Sequence, residues 1–367
     1  MRSEYKDGAM NFYLTGRIDS NNAEEVSKEL EGEIDMIGEM NIAFDAKDLE
    51  YISSAGLRVL LRIRKKAGYP VTVRNVSDEI FDIFSVTGFD QMFTVERPMR
   101  QISLKGCAKL SSALNGEIFE LSEDEMVKVY GKDADLDDVK KERDYAQTAM
   151  INGIPTLIPY DVVSCEKGYG IVIEKGGAQS LAQVIANNPD DMEKYAVMFA
   201  DLMREIHSTE IPEGKLPDIK DRYRGWIDEI SDMESARVDI FNQLIDGIED
   251  RETYVHGDIN LNSVMVKDGE LLLVDMAGSA RGHALFDLQS IFASLVAIEK
   301  VRKDYCFTTF GIKGDVCVRF WKLFFDRYME KESTDIGSMN ELLLKYFVLK
   351  EQVLNLVEEK HRVGGDV

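Results

Sequence analysis

The sequence has no apolar run near the roughly 18 to 20 residues that a bilayer-spanning helix needs. Its start, MRSEYKDGAMNFYL, lacks a basic stretch followed by an apolar core. Neither export nor a membrane partner is expected, and the predicted location is cytoplasmic. Cysteine is scarce: Cys107, Cys165, Cys306 and Cys317 are far apart and form no CxxC pair. That spacing suggests neither a disulfide framework nor a zinc site and predicts reduced, buried thiols. Proline and glycine, at 7 and 27 residues, are not enriched, which argues against a fibrous or disordered chain. Basic residues are the minority, 44 against 67 acidic, and the formal charge of −23 opposes binding to nucleic acid phosphates.

What remains is a globular composition, 44% apolar, over 367 residues, long enough for two or three compact units. From Met10 to about Val95 strands and helices alternate. The strand NFYLTGRI, a polar helix and the strand NIAFDAKDL come first. A helix then carries Leu57, Leu60, Leu61 and Ile63 with arginines between and ends at Gly68-Tyr69-Pro70. The strand VTVRNV and an amphipathic helix with Ile80, Phe81, Ile83 and Phe84 complete one small α/β layer domain. The polar text ERPMRQISL marks a boundary near residue 100. Strands with one helix, from about Asp135 to Asn152, follow to Glu174, and after Ser180 the chain reads as mostly helical.

In Tyr51-Ile52-Ser53-Ser54-Ala55-Gly56-Leu57 two hydroxyls stand just before a helix, where free N–H groups and the positive dipole end welcome an anion. A phosphate there would add a charge of roughly −1.5 to −2 in a favourable field, as a surface switch. Asp45 followed by the ISSAGLRVLL run resembles the STAS domain of anti-sigma factor antagonists over about the first hundred residues. The resemblance implies Ser54 as phospho-acceptor, with Ser53 where the family has aspartate. It also implies an anti-sigma-type protein kinase, or a similar signalling protein, as docking partner, with phosphorylation weakening the docking.

The strongest motif is Val255-His256-Gly257-Asp258-Ile259-Asn260-Leu261-Asn262-Ser263, followed by Leu271-Leu272-Leu273-Val274-Asp275. An aspartate in a tight loop before a strand can accept a proton from an attacking hydroxyl. A second aspartate, after the next strand, can hold Mg²⁺ against nucleotide phosphates. The arrangement resembles aminoglycoside phosphotransferases and related small-molecule kinases over roughly Gly106 to Glu359.

Together the two resemblances imply a STAS domain at 1–100 followed by a bilobal kinase-like domain at 101–367, with lobes of about 101–175 and 176–367, an α/β and α+β architecture. The second implies ATP and Mg²⁺ as cofactors, Asp258 as catalytic base, Asp275 as metal ligand, His256 as a structural residue, and Asp287 as a brace for the loop through its N–H groups. The resemblance makes Lys128, in the strand Glu125-Met126-Val127-Lys128, the candidate phosphate-binding lysine, and Glu142 the carboxylate that would hold it. By the same resemblance Ser112 and Asn115 match the nucleotide-covering loop, and Glu174 matches the hinge whose backbone would hold the adenine. Where the family has asparagine five residues after the catalytic aspartate this chain has Ser263, with Asn262 one residue earlier, so both are candidate metal ligands. His207 reads as a packing residue. The implied activity is transfer of the γ-phosphoryl to a hydroxyl of a small molecule or protein, coupled to the STAS module. The alternative is a non-catalytic nucleotide-binding scaffold for partner switching.

Overall fold

The strand NFYLTGRI forms most of the second strand of the first unit's sheet in a computed structural model that describes residues 2–6, 8–37, 41–69, 71–113, 116–175, 179–230, 235–330 and 335–364. Contacts divide the chain into Met1–Gln101 and Ile102–Val367. The first unit runs β1 (Arg2–Lys6), β2 (Ala9–Ile18), α1 (Ala23–Ile37), β3 (Ile42–Ile52), α2 (Ser54–Ala67), β4 (Thr72–Arg74), α3 (Asp78–Thr87) and β5 (Thr94–Val95). The sheet order is β1-β2-β3-β4-β5, with β1 antiparallel to β2 and the other pairs parallel. Both β1 and β5 go beyond the strands that the sequence pattern marks, because each is short and lies at a sheet edge.

The core gathers the apolar positions of those periodicities, with Phe12, Phe44, Leu60, Ile63, Val73 and Phe84 wholly buried. Each such side chain contributes about 1.5–3 kcal/mol relative to exposure. Helix α2 shows the local logic. Leu57, Val59, Leu60 and Ile63 face inward, while Arg58 and Arg62 stay exposed. Ser53 caps its start, its hydroxyl accepting from the Ala55 N–H at 3.2 Å and the Gly56 N–H at 3.4 Å. Gly68, at φ 78°, ends it in the left-handed conformation that glycine tolerates.

In the second unit five antiparallel strands lie in the order Pro159–Cys165, Gly168–Glu174, Glu125–Val129, Gly116–Glu120, Lys109–Ala113. The helix Leu136–Ile151 packs on this sheet. The remainder is helical around an aromatic core in which Phe199 and Phe324 lie 5.2 Å apart and Trp321 stacks on Phe324 at 5.6 Å. Short strands interrupt it: Tyr254–Val255 pairs with Ala280–Arg281, and Val264–Lys267 pairs with Gln179–Ser180 and, as a hairpin, with Glu270–Leu273, whose two-residue turn, Asp268-Gly269, takes positive φ at both positions. An Asp-Gly pair suits that turn because its twist matches the strands. Of the four free thiols Cys306 and Cys317 are buried, whereas Cys107 and Cys165 are half-buried on the strand-rich part, short of the full burial expected for all four. No helix among the described residues is long and apolar enough to cross a membrane.

Candidate active site

The hairpin Val264–Lys267/Glu270–Leu273 stands between two loops, one carrying Asp258 and the other Asp275. The loops meet backbone to backbone. Gly257, at φ 83°, lies so close to Gly278 that a methyl group on it would collide with the Gly278 carbonyl. A methyl on Gly278 would reach the His256 carbonyl at 2.5 Å. Two glycines are needed because no side chain fits between these chains. Arg222, from the helix Ile219–Glu229, donates to the Gly278 carbonyl at 2.6 Å and secures the contact.

Asp287 holds the Asp258 loop from behind. Its Oδ2 accepts from the His256 N–H at 2.8 Å and its Oδ1 from the Gly257 N–H at 2.7 Å, and it is wholly buried. Burial alone would raise its pKa. The His207 ring, whose Nε2 lies 3.1 Å from Oδ2, and His256, through its ring and its backbone N–H, more than offset that and hold the carboxyl below its ordinary value. His256 is wholly buried too, and its Nε2–H donates to the Val274 carbonyl at 2.8 Å, joining the Asp258 loop to the strand end that leads into Asp275. His207 is therefore more than packing: its Nδ1 meets the Tyr328 hydroxyl at 2.8 Å while its Nε2 meets Asp287.

On the opposite side Lys128 projects from the strand Glu125–Val129. Its ammonium donates to Glu142 Oε1 at 2.8 Å and to Asp275 Oδ1 at 2.8 Å. Burial would depress its pKa, but the charges of Asp275 and Glu142 overcome that and raise it, so the group stays cationic. Asp275 takes φ 62° and ψ 56°, a left-handed conformation unusual for a residue with a side chain.

Lys128, Glu142, Asp258 and Asp275 all line one cleft of about 840 Å³, which has an apolar section that includes Met126, Leu157, Ile171 and Leu273. That volume is ample for a nucleotide with a small second ligand. Asp258 is open to it, its side chain 59% exposed, and its Oδ1 accepts from Lys350 Nζ at 3.5 Å.

Other predicted residues have other partners. Ser263 is nearly buried, and its hydroxyl donates to the Asp258 carbonyl at 3.3 Å and accepts from the Asn260 N–H at 3.2 Å, so it ties the loop together. The Asn262 amide donates to the Thr309 carbonyl at 3.1 Å, and its Oδ1 accepts from the Ser180 hydroxyl at 3.3 Å. Glu174 pairs with Lys267, and its Oε2 accepts from the Ile158 N–H at 3.3 Å; the residue does not line the cleft. Its own N–H donates to the Ile158 carbonyl at 2.9 Å, so its backbone donor is also taken. Asn115 and the Ser112 side chain lie outside the described residues. Ser54 is the exposed first residue of α2, beside the capping Ser53.

Among the described residues no cluster of three or more His, Cys, Asp or Glu forms a self-sufficient metal cage. A Mg²⁺ shared with nucleotide phosphates needs only one or two carboxylates and keeps waters. Asp275 fits that need: Lys128 takes its Oδ1, no hydrogen bond among the described residues takes Oδ2, and the side chain is 37% exposed at the cleft.

Lys350 and Arg222 are site residues that sequence reasoning missed. Lys350 interrupts a run of buried and half-buried positions, Leu343, Tyr346, Phe347, Leu349 and Val353, on the helix Ile336–Gly364. A lysine within such a stripe is the available signal.

The family profile of the STAS domain matches residues 1–101. A candidate anti-sigma factor antagonist of Bordetella bronchiseptica, BtrV, is 34% identical over 92 residues, which are 24% of this chain and 78% of that protein. The second unit is similar to aminoglycoside phosphotransferases. An aminoglycoside-3′-phosphotransferase of type VIII aligns at 17% identity and a TM-score of 0.46, over 67% of this chain and 93% of its own. The enzyme APH(3″)-Id of Streptomyces rimosus aligns at 16% identity and a TM-score of 0.42, over 69% and 92%.

Proposed function

We propose, from the premise that this chain belongs to the STAS family through residues 1–101, that its second unit is an ATP- and Mg²⁺-dependent phosphotransferase with a hydroxyl acceptor, governed by the STAS module. One observation carries the catalytic half. A cationic Lys128, its holding carboxylate Glu142, the open carboxylate Asp258 and the half-exposed carboxylate Asp275 all border one cleft.

In the reaction the acceptor oxygen attacks the γ-phosphorus, and the bond between that phosphorus and the β–γ bridging oxygen breaks. The hydroxyl proton passes to Asp258, and ADP leaves. Lys128, pinned by Glu142, presents its ammonium to nucleotide phosphates. Asp275 would hold Mg²⁺, which when bound neutralises charge on the phosphate oxygens. Asp287 and His256 keep the Asp258 loop in one conformation, so the base needs no reorganisation to act. A supply of ATP fits a cytoplasmic setting.

On the regulatory side Ser54 is exposed at the N-terminus of α2, beside a Ser53 that already caps the helix, so a phosphate on Ser54 would add charge at the surface without removing the cap. We assign it the phospho-acceptor role and assign the module an anti-sigma-type kinase or a related signalling protein as partner. A second reading, a nucleotide-binding scaffold without turnover, draws on the hydroxyl of Ser263 and the amide of Asn262, both already engaged within the protein.

The test is ADP release with Mg·ATP and a panel of hydroxyl acceptors, together with nucleotide titration. Asp258→Ala should reduce turnover by about 10²–10⁴-fold, the usual worth of a positioned base, and leave Mg·ATP binding in place. Binding without turnover in the unaltered protein favours the scaffold. No Mg²⁺-dependent nucleotide binding at all sinks both readings.

A further inference from the structure

The lining of the cleft that holds Asp258 also includes Gln289 and Ser290 of the helix Leu285–Phe292 and Phe347, Lys350 and Glu351 of the helix Ile336–Gly364, and these two helices pack on one another. Here Leu285–Phe292 runs on into a π-helical turn over Ala293–Ala297, and Ala293 and Ser294 of that turn line the cleft. Such turns widen a helix and recur at ligand sites. Two polar groups in this part lack the partners that burial demands.

Lys350 is the first. Its side chain is 13% exposed, and an ammonium has three donors. Its single hydrogen bond among the described residues is the 3.5 Å contact with Asp258. Gln289 is the second, at 2% exposure. Its Nε2 donates to the Phe286 carbonyl at 3.2 Å and to the Ser290 hydroxyl at 2.8 Å, which fixes the amide's orientation, and its Oε1 is buried with no partner. Both residues line the cleft. A buried ammonium with spare donors calls for an anionic or oxygen-rich group, and a buried amide oxygen calls for a donor.

Resting on the phosphotransferase reading, we propose that this compartment is the acceptor site and that it takes a small polyhydroxylated acid: a carboxylate or phosphate on Lys350, a hydroxyl on Gln289 Oε1, and the reacting hydroxyl at Asp258. The charge pattern excludes polyamine-type acceptors. Apart from Asp258 itself the lining of this part offers one carboxylate, Glu351, and Lys350 opposes every ammonium that would approach.

The experiment uses the full chain with Mg·ATP and matched acceptors in which a carboxylate replaces one hydroxymethyl group, gluconate against sorbitol and glycerate against glycerol, with an aminoglycoside as polycation. ADP release gives kcat/KM. Ligand-observed NMR with a non-hydrolysable ATP analogue gives binding where turnover is slow. The acid in each pair should exceed its neutral partner by about tenfold to a hundredfold, the worth of one charge-assisted hydrogen bond. Lys350→Met, which keeps the stem's packing, should remove that preference, and Lys350→Arg should restore part of it. Gln289→Leu should weaken polyols of both kinds. Preference for the neutral partner or the aminoglycoside, or no preference in turnover or binding, overturns the proposal. So does an equal loss on all acceptors in Lys350→Met, which would assign that cation to the triphosphate. Failure of the phosphotransferase reading shows separately, as absent Mg·ATP binding or an Asp258→Ala protein that still releases ADP at the original rate.

Discussion

Replacing Asp287 by asparagine tests how the Asp258 loop is held. The carboxylate accepts from the His256 and Gly257 N–H groups at 2.8 and 2.7 Å and from His207 at 3.1 Å, in full burial. A hydrogen bond to a charged group is worth about 1.5–3 kcal/mol net. Asparagine keeps one acceptor oxygen and turns an NH₂ toward a second donor, so one such bond is lost and one buried N–H is left facing another. The expected cost is about 2–4 kcal/mol. Both tryptophans, Trp226 and Trp321, lie in the second unit, so their fluorescence follows that unit's unfolding. With a urea slope of about 3 kcal/mol per M, the midpoint should fall by about 1 M.

The pH dependence gives an independent check. The folded pKa of Asp287 is lowered, so its stabilisation is fully present above the unfolded value of about 3.9 and is lost as pH falls through the folded pKa. The gap between the unaltered protein and Asp287→Asn should therefore be widest near neutrality and shrink below about pH 4. A midpoint shift under about 0.2 M at pH 7, or a gap that grows on acidification, would refute the reasoning.

Three further predictions concern other joints. Gly56→Ala would bring a methyl within 2.7 Å of Ile52 and 2.8 Å of Ile18, and should destabilise the first unit by about 1–3 kcal/mol; circular dichroism should show the earlier transition while the tryptophan midpoint holds. Glu142→Gln replaces the charged acceptor of Lys128 by a neutral amide oxygen, leaving Asp275 as its one charged partner, and should weaken Mg·ATP binding about tenfold in a fluorescent-nucleotide titration, an unchanged affinity arguing against a positioning role for this pair. Ser53→Ala removes the cap of α2 and should cost about 1 kcal/mol. Ser54→Ala should stay within about 0.5 kcal/mol, and the reverse order in denaturant midpoints would exchange the two serines' roles.

Local chemistry in the sequence determined much of this protein. The boundaries of α2 follow from Ser53 and Gly68, the hairpin turn from Asp268-Gly269, and the nearness of the two aspartates from the short hairpin between their loops. The Lys128–Glu142 pair is legible because a strand and the next helix bring the two within 14 positions. Contacts between distant parts of the chain were decided by tertiary structure alone: Lys350 with Asp258 across 92 positions, His207 with Asp287 across 80, and Lys128 with Asp275 across 147. The partners of the Ser263, Asn262 and Glu174 side chains likewise come from packing, and no spacing announces them. Periodicity says which face of an element is buried, but which helix covers which loop, and so which buried cation meets which carboxylate, depends on how those faces pack across the whole unit.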